Sequence, residues 1–371
     1  MDISINRSIG FNNNQTSIIS DDISLQNTHV FVGKFAGSLN VNNNSTAVVL
    51  GHEAARSSSN TNNNVLIGYR AGYNTQSENN VFIGANTGTN IRSGGRNVFM
   101  GTDVSPLAVN TINSVLIGHQ AGYTNQTGIN NVFLGSESGR SNRSGSDNVF
   151  VGRNTGITNS LGHHNVFVGS NCGYLNMNGS SNTFVGHQAG FRNTTGNRNV
   201  YVGTHSGSES TSATRNVTVG SYAGKSNQFG SNNTLLGDSA SEYVSSGENN
   251  VTIGGLALQN AVHSQDNVTV GASAGQYMSC GQRNTLVGVG AGRLKNNNNK
   301  EVEFIQSIDS NDNDMTDTLN EMENLQNVTL VYDTVHVFRY TSFQENAVFE
   351  RHTFAGVPFS FVSPIFVLRS R

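Results

Sequence analysis

The side chains in this chain that could do chemistry are ten histidines, 24 acidic residues and two cysteines. Their spacing argues against most of what such groups do. His52, His119 and His187 each follow a glycine at a turn, and His163 and His164 are adjacent in one loop. None has the spacing of ligands converging on a metal, and there is no His-x-His pair of the kind that holds an ion on a three-fold axis. Cys172 and Cys280 are too few and too far apart for a disulfide framework or a thiolate site. Cys172 stands where other repeats carry Ala or Ser, so it reads as a small buried residue. Glu137, Glu209, Asp238 and Glu242 could meet across chains as the carboxylate pair that glycoside hydrolysis needs, but nothing in their spacing singles them out. The glycine-rich phrases lack the following helix and the Lys-Ser/Thr of a phosphate loop, and the recurrent Asp of calcium-binding β-rolls is absent. The expectation is a protein that is not an enzyme, with no catalytic, cofactor-binding or metal-binding residues.

The elements that would position any such group repeat. Asn131-Val132-Phe133-Leu134-Gly135 returns as Asn148-Val149-Phe150-Val151-Gly152, as Asn165-Val166-Phe167-Val168-Gly169 and as Asn199-Val200-Tyr201-Val202-Gly203. Its closing glycine marks sixteen positions from Gly33 to Gly288, spaced by 17 residues from Gly101 onward, with earlier intervals of 18, 17 and 16. A fixed short period is the signature of a solenoid, in which no unit buries its apolar face alone and stacking supplies the core. The predicted fold is all-β, a parallel β-solenoid (β-roll or β-helix) of about sixteen 17-residue coils, homotrimeric, with a small C-terminal β-rich domain.

Composition alone would suggest disorder: 35% hydrophobic and 12% charged residues, 42 glycines, three prolines and no tryptophan. The strict period overrides that reading. A net charge of -3 offers no basic surface for nucleic acid. No run approaches a membrane span, and Met1 to Asn6 lack the features of a secretory signal.

Counting from the marker glycine, alternation along the strand sends positions -3 and -1 to one face and -2 to the other. The valines and isoleucines at -3 and -1 are expected to point inward. The small residue at +3 (Ala71, Ala121, Ala189) and the glycine at +4 (Gly72, Gly122, Gly190) suit a tight corner. Position -4 is Asn131, Asn148, Asn165, Asn182, Asn199 and Asn216 in successive coils, expected to form a hydrogen-bonded amide ladder. Asn193, Asn216 and Asn267 also fit the glycosylation sequon, but in a chain so rich in Asn, Ser and Thr the ladder is the preferred reading. Position -2 would then face outward. It carries Phe82, Phe99, Leu116, Phe133, Phe150, Phe167, Phe184 and Tyr201, a column that soluble monomers would not leave in water. These residues are therefore expected to form the interface of a cyclic homotrimer. The alternative is a wide roll with the rings inside.

Residues 1–28 read as an N-terminal cap or attachment segment, and 29–295 as the repeat shaft. Residues 296–326 read as a polar linker with a short amphipathic helix, in which Met315, Leu319, Met322 and Leu325 fall at helical spacing. Residues 327–371, rich in aromatics, read as a β domain serving as trimer clamp or binding head, with strands over 328–340, 347–354 and 359–368.

The phrase Asn-Val-Phe-Val-Gly-x-x-x-Gly resembles the head repeat of trimeric autotransporter adhesins. It is also similar to repeats in tail-fibre and fibre-like proteins of phages and large DNA viruses. The resemblance covers residues 29–292 and implies a trimeric, surface-displayed adhesive or structural protein. The period of 17 is longer than that of the adhesin heads, and no signal or aromatic-ended anchor is seen, so a virion surface is expected rather than a bacterial one. The function expected is a rigid shaft for attachment in a viral fibre, spike or capsid decoration, with itself, other virion proteins and a host glycan or receptor as partners. The alternatives are a tailspike-like polysaccharide-degrading enzyme and a bacterial adhesin. A hexapeptide-repeat acyltransferase needs an aliphatic residue on three sides of each coil, which this chain lacks. Ice binding needs a regular threonine array, and Thr218, Thr252 and Thr269 are too few.

Overall fold

A computed structural model describes residues 29–38, 46–278 and 280–293, together with the backbone of five further strands at Asn298–Asn299, Val302–Phe304, Val328–Arg339, Glu350–Thr353 and Phe366–Ser370. Each repeated phrase forms a strand of three or four residues, paired in parallel with its counterpart one repeat on. Val149–Val151 lies against Val166–Val168, and that strand against Thr183–Val185, with Phe150, Phe167 and Phe184 in direct register. Continued from His29–Val32 to Thr285–Val287, this pairing gives a parallel β-solenoid of sixteen stacked strands and fifteen intervening turns. The irregular early intervals leave register intact: Phe31 pairs with Val49 across 18 residues and Leu66 with Phe82 across 16. The loops absorb the difference. A second short parallel ladder joins His263–Gln265, Cys280–Gln282 and Asn298–Asn299. Among the described residues there is no helix.

Beyond the last repeat, Val302–Phe304 continues the sheet from Thr285–Val287 and pairs in parallel with Val328–Arg339, which in turn pairs antiparallel with Glu350–Thr353 and Phe366–Ser370. The expected N-terminal cap and the helix over 315–325 lie outside the described residues.

The strands face the opposite way from the sequence expectation. The column Phe82, Phe99, Leu116, Phe133, Phe150, Phe167, Phe184 and Tyr201 is fully buried inside a single chain, while the residues at -3 and -1 point out. These side chains are therefore the coil's own core, and a trimer interface through them is excluded. The physical reason is the width of the coil. Consecutive rings stack with centroids 4.7–4.9 Å apart, the spacing that strand pairing imposes, so one ring per coil fills the interior. The corner closes hard upon it: a Cβ on Gly173 would lie 2.4 Å from the Phe167 ring. Burying one large aromatic also removes more apolar surface from water than burying a valine. The small residue at +3, such as Ala189, Ala223 or Cys172, completes the packing.

Position -4 shares the strand parity of -2, so the asparagines are interior as well. Along the column, each backbone N–H donates to the amide oxygen of the coil before, from Asn165 to Asn148, Asn182 to Asn165 and Asn199 to Asn182, each at 3.0 Å. Each Nδ2 donates across the coil, as from Asn165 to Gly179 O at 2.8 Å. Ladder residues Asn131, Asn148 and Asn216 are bonded in the same way. A second ladder at +7 links Asn125, Asn142, Asn159, Asn176 and Asn193 through side-chain bonds of 2.7–2.8 Å. Buried amides are tolerable only when so satisfied. Asn193, Asn216 and Asn267 are all buried, which removes the sequon reading.

Where the repeat changes, the core compensates. At Tyr201 the phenol needs a partner, and Ser210 stands in the second ladder instead of Asn, meeting the Tyr201 hydroxyl at 2.8 Å. The ladder ends there, leaving Asn193 Oδ1 without a partner. Burial pushes the Tyr201 phenol up to about 12, opposed by its bond to Ser210. Later coils place Thr252 and Thr269 at -2, and apolar volume moves to the other wall as Val244, Leu258, Ala261 and Met278.

Candidate functional surface

The inverted parity leaves an apolar stripe on the outer face of the sheet. Position -3 holds Val in thirteen of the sixteen strands from Val30 to Val268, with Thr at 183, 234 and 285, and the column at -1, from Val32 to Val287, holds only Val, Ile, Leu or Met. Val166, Val168, Val217 and Val219 are 36–39% exposed, against 0–1% for the Phe167 and Thr218 side chains between them. With strands ~4.8 Å apart and a two-residue step of ~7 Å, the stripe is ~72 Å long and ~10 Å wide, roughly 700 Å² in projection. That exceeds the few hundred Å² of contiguous apolar surface that monomers commonly expose.

The stripe has a polar rim. At -5 the residues adopt the left-handed conformation, as in Asn130 with φ 56° and Asp147 with φ 58°, which turns their side chains outward along the coil stack. They bond from coil to coil: Arg96 to Asn113 at 2.8 Å, Asn113 to Asn130 at 3.2 Å and Asn130 to Asp147 at 2.9 Å. His164 approaches Asp147 at 3.7 Å. An apolar centre bordered by satisfied polar groups is the anatomy of a protein interface. On the other side, each strand ends at a glycine held near φ +135°, and a Cβ on Gly169 would meet Gly186 O at 2.4 Å. Only glycine lets successive coils stack so closely there.

The groups considered for chemistry are dispersed. His52 stacks on Tyr69, and His205 stacks on Tyr222 while meeting His187 edge-on. Burial, then the neighbouring charges of His187 and Lys225, lower the His205 pKa. His163 Nδ1 accepts the Ser146 N–H at 3.0 Å. Glu137 approaches Arg140 at 3.9 Å, and Glu242 is buried and accepts from Gln259 at 3.0 Å. Glu209 lies 3.5 Å from the Ser226 hydroxyl, and Asp238 is exposed. Among the described residues, no three His, Cys, Asp or Glu side chains come together as metal ligands would. Cys172 donates to Phe184 O, and burial pushes its thiol far above the ordinary range.

Sequence reasoning found the Asn column that precedes each strand but missed the second one. Asn125, Asn142, Asn159, Asn176 and Asn193 recur at the same 17-residue interval and were there to be counted. The outer stripe was legible as a pattern and assigned to the wrong face. Comparison of the chain with protein-family models, curated proteins and solved structures finds no match.

Proposed function

We propose that the chain is the rigid shaft of a homotrimeric attachment fibre displayed on a virion, and that the trimer is held by the outer Val/Ile/Leu stripe. The observation that carries this reading is the stripe itself, which runs over sixteen strands with its side chains half-buried to exposed in the single chain. Two columns per strand suit a three-fold arrangement, in which the -1 column of each chain packs on the -3 column of the next at the same coil level. Roughly 700 Å² per chain is close to the ~800 Å² per partner of a specific interface. The fibre setting is supported by the resemblance of the repeated phrase to fibre and adhesin repeats and by the elongated parallel coil. The shaft has no catalytic role in this reading.

Native mass by light scattering tests it. The full chain is expected at the mass of three chains, persisting in mild denaturant. A Val166→Glu/Val168→Glu variant should fall to one chain while keeping its β-sheet circular dichroism, because both positions lie on the outer face. A monomeric wild-type chain, or a variant that stays trimeric, would sink the assignment of the stripe.

A further inference from the structure

Aromatic side chains recur at the fifth residue after the marker glycine, and in consecutive coils they stack, as Tyr174 and Phe191 do at 5.0 Å. Tyr73 and Tyr123 occupy the same position three coils apart, but the two coils between them carry Thr89 and Pro106. The missing rings leave a notch of about 380 Å³, walled at its ends by the two tyrosines and floored by Thr89 and Pro106. None of its lining residues belongs to the outer stripe.

The polar groups in the notch define what it can take. Asp103 accepts from Asn86 Nδ2 at 3.0 Å through Oδ1, which leaves the other carboxylate oxygen to accept from hydroxyl groups. Asn90 uses its Nδ2 on Pro106 O at 3.0 Å, leaving its amide oxygen as a further acceptor. Arg70 also lines the notch; it pairs with Glu53 at 2.6 Å, a carboxylate it shares with Arg56, and its guanidinium lies over the Tyr69 and Tyr73 rings. Arg140 covers the Tyr123 ring from the coil beyond. Two arginines share Glu53, and Asp103, without a cation partner among the described residues, brings the neighbourhood to neutral, so an acidic ligand finds no net positive charge and meets the Asp103 carboxylate. Acceptors beside two aromatic rings match a molecule with many hydroxyl donors and flat C–H faces.

We propose that this notch binds a neutral oligosaccharide through two adjacent pyranose units, one on each tyrosine. Strand spacing puts the tyrosines ~14 Å apart, and stacking contact of ~4 Å at each leaves ~6 Å between the two sugars, a span suited to directly linked rings. The proposal deepens the attachment reading by naming a ligand class and rests on it for its biological setting, although one chain builds the whole notch.

Saturation-transfer NMR on the full chain tests it, with maltose, cellobiose, lactose and mannobiose as neutral probes and sialyllactose as the acidic one. At least one neutral disaccharide should receive transfer on its ring protons. Tyr73→Ala and Tyr123→Ala should each weaken that binding at least tenfold, and Asp103→Asn, which keeps shape and suits the left-handed backbone there, severalfold. Tyr174→Ala, in the same column outside the notch, should change nothing. No transfer to any neutral probe, equal loss in Tyr174→Ala, or binding of sialyllactose alone would overturn the proposal. A monomeric mass with tyrosine-dependent binding would remove the trimer and keep the notch. A stable trimer that binds no probe would do the reverse.

Discussion

Replacing Phe167 with alanine is expected to cost about 4 kcal/mol of local stability. The ring is fully buried, with centroids 4.9 Å from Phe150 and 4.7 Å from Phe184. Phe→Ala in a core costs roughly 3–5 kcal/mol, depending on how far the site collapses. Collapse is resisted here, because coils on either side are fixed by strand pairing at Val166–Val168 and cannot close along the axis. Each lost stack is worth roughly 0.5–1.5 kcal/mol, which favours the upper part of that range. Phe167→Leu should cost only about 1 kcal/mol, since Leu66, Leu116 and Leu235 already hold the same column position. In a solenoid the loss is felt by nearest neighbours, so hydrogen exchange is the suitable assay. Amides from about Gly152 to Gly190 should lose protection first, and denaturant unfolding should develop an early phase. A cost below 1 kcal/mol with unchanged exchange, or a drop in oligomer mass with the coil intact, would refute the placement of the ring inside.

Gly186→Ala should be more damaging than a core deletion of similar size, because φ is +137° and the new Cβ would sit 2.5 Å from Gly203 O; a lowered melting temperature is the readout. Cys172 should remain unreactive toward thiol reagents in the folded chain and react on unfolding, since burial raises its pKa and it is enclosed against the Phe column. Glu53 is held below its usual range first by its hydrogen bond to Arg70, with Arg56 adding to the effect. A depressed folded pKa contributes stability above the unfolded value of 4.5 that is lost as pH falls through the folded one. Exchange protection in coils 51–72 should therefore decline in acid, and Glu53→Gln should abolish that pH dependence.

The sequence alone determined the period, the all-β parallel coil and the register of its strands. Hydrogen bonding between coils requires equivalent residues to stack, so a 17-residue repeat fixes which residues meet whatever the cross-section. The corner glycines at +4 were equally legible, and Gly173 and Gly190 do adopt positive φ; that the strand-ending Gly169 and Gly186 admit no Cβ follows only from the stacking of the coils. What alternation could not supply was which parity lies inside: Val-Phe-Val is apolar on both faces. One local clue existed, since Asn165 and Phe167 share a parity and an amide ladder is worth keeping only where water is excluded. The decision belonged to the tertiary structure, where a narrow coil closed by Gly173 and Cys172 holds one ring per level and sends the flanking valines outward. The notch between Tyr73 and Tyr123 was likewise beyond the sequence, because those residues are 50 apart in the chain and meet only once the coils are stacked.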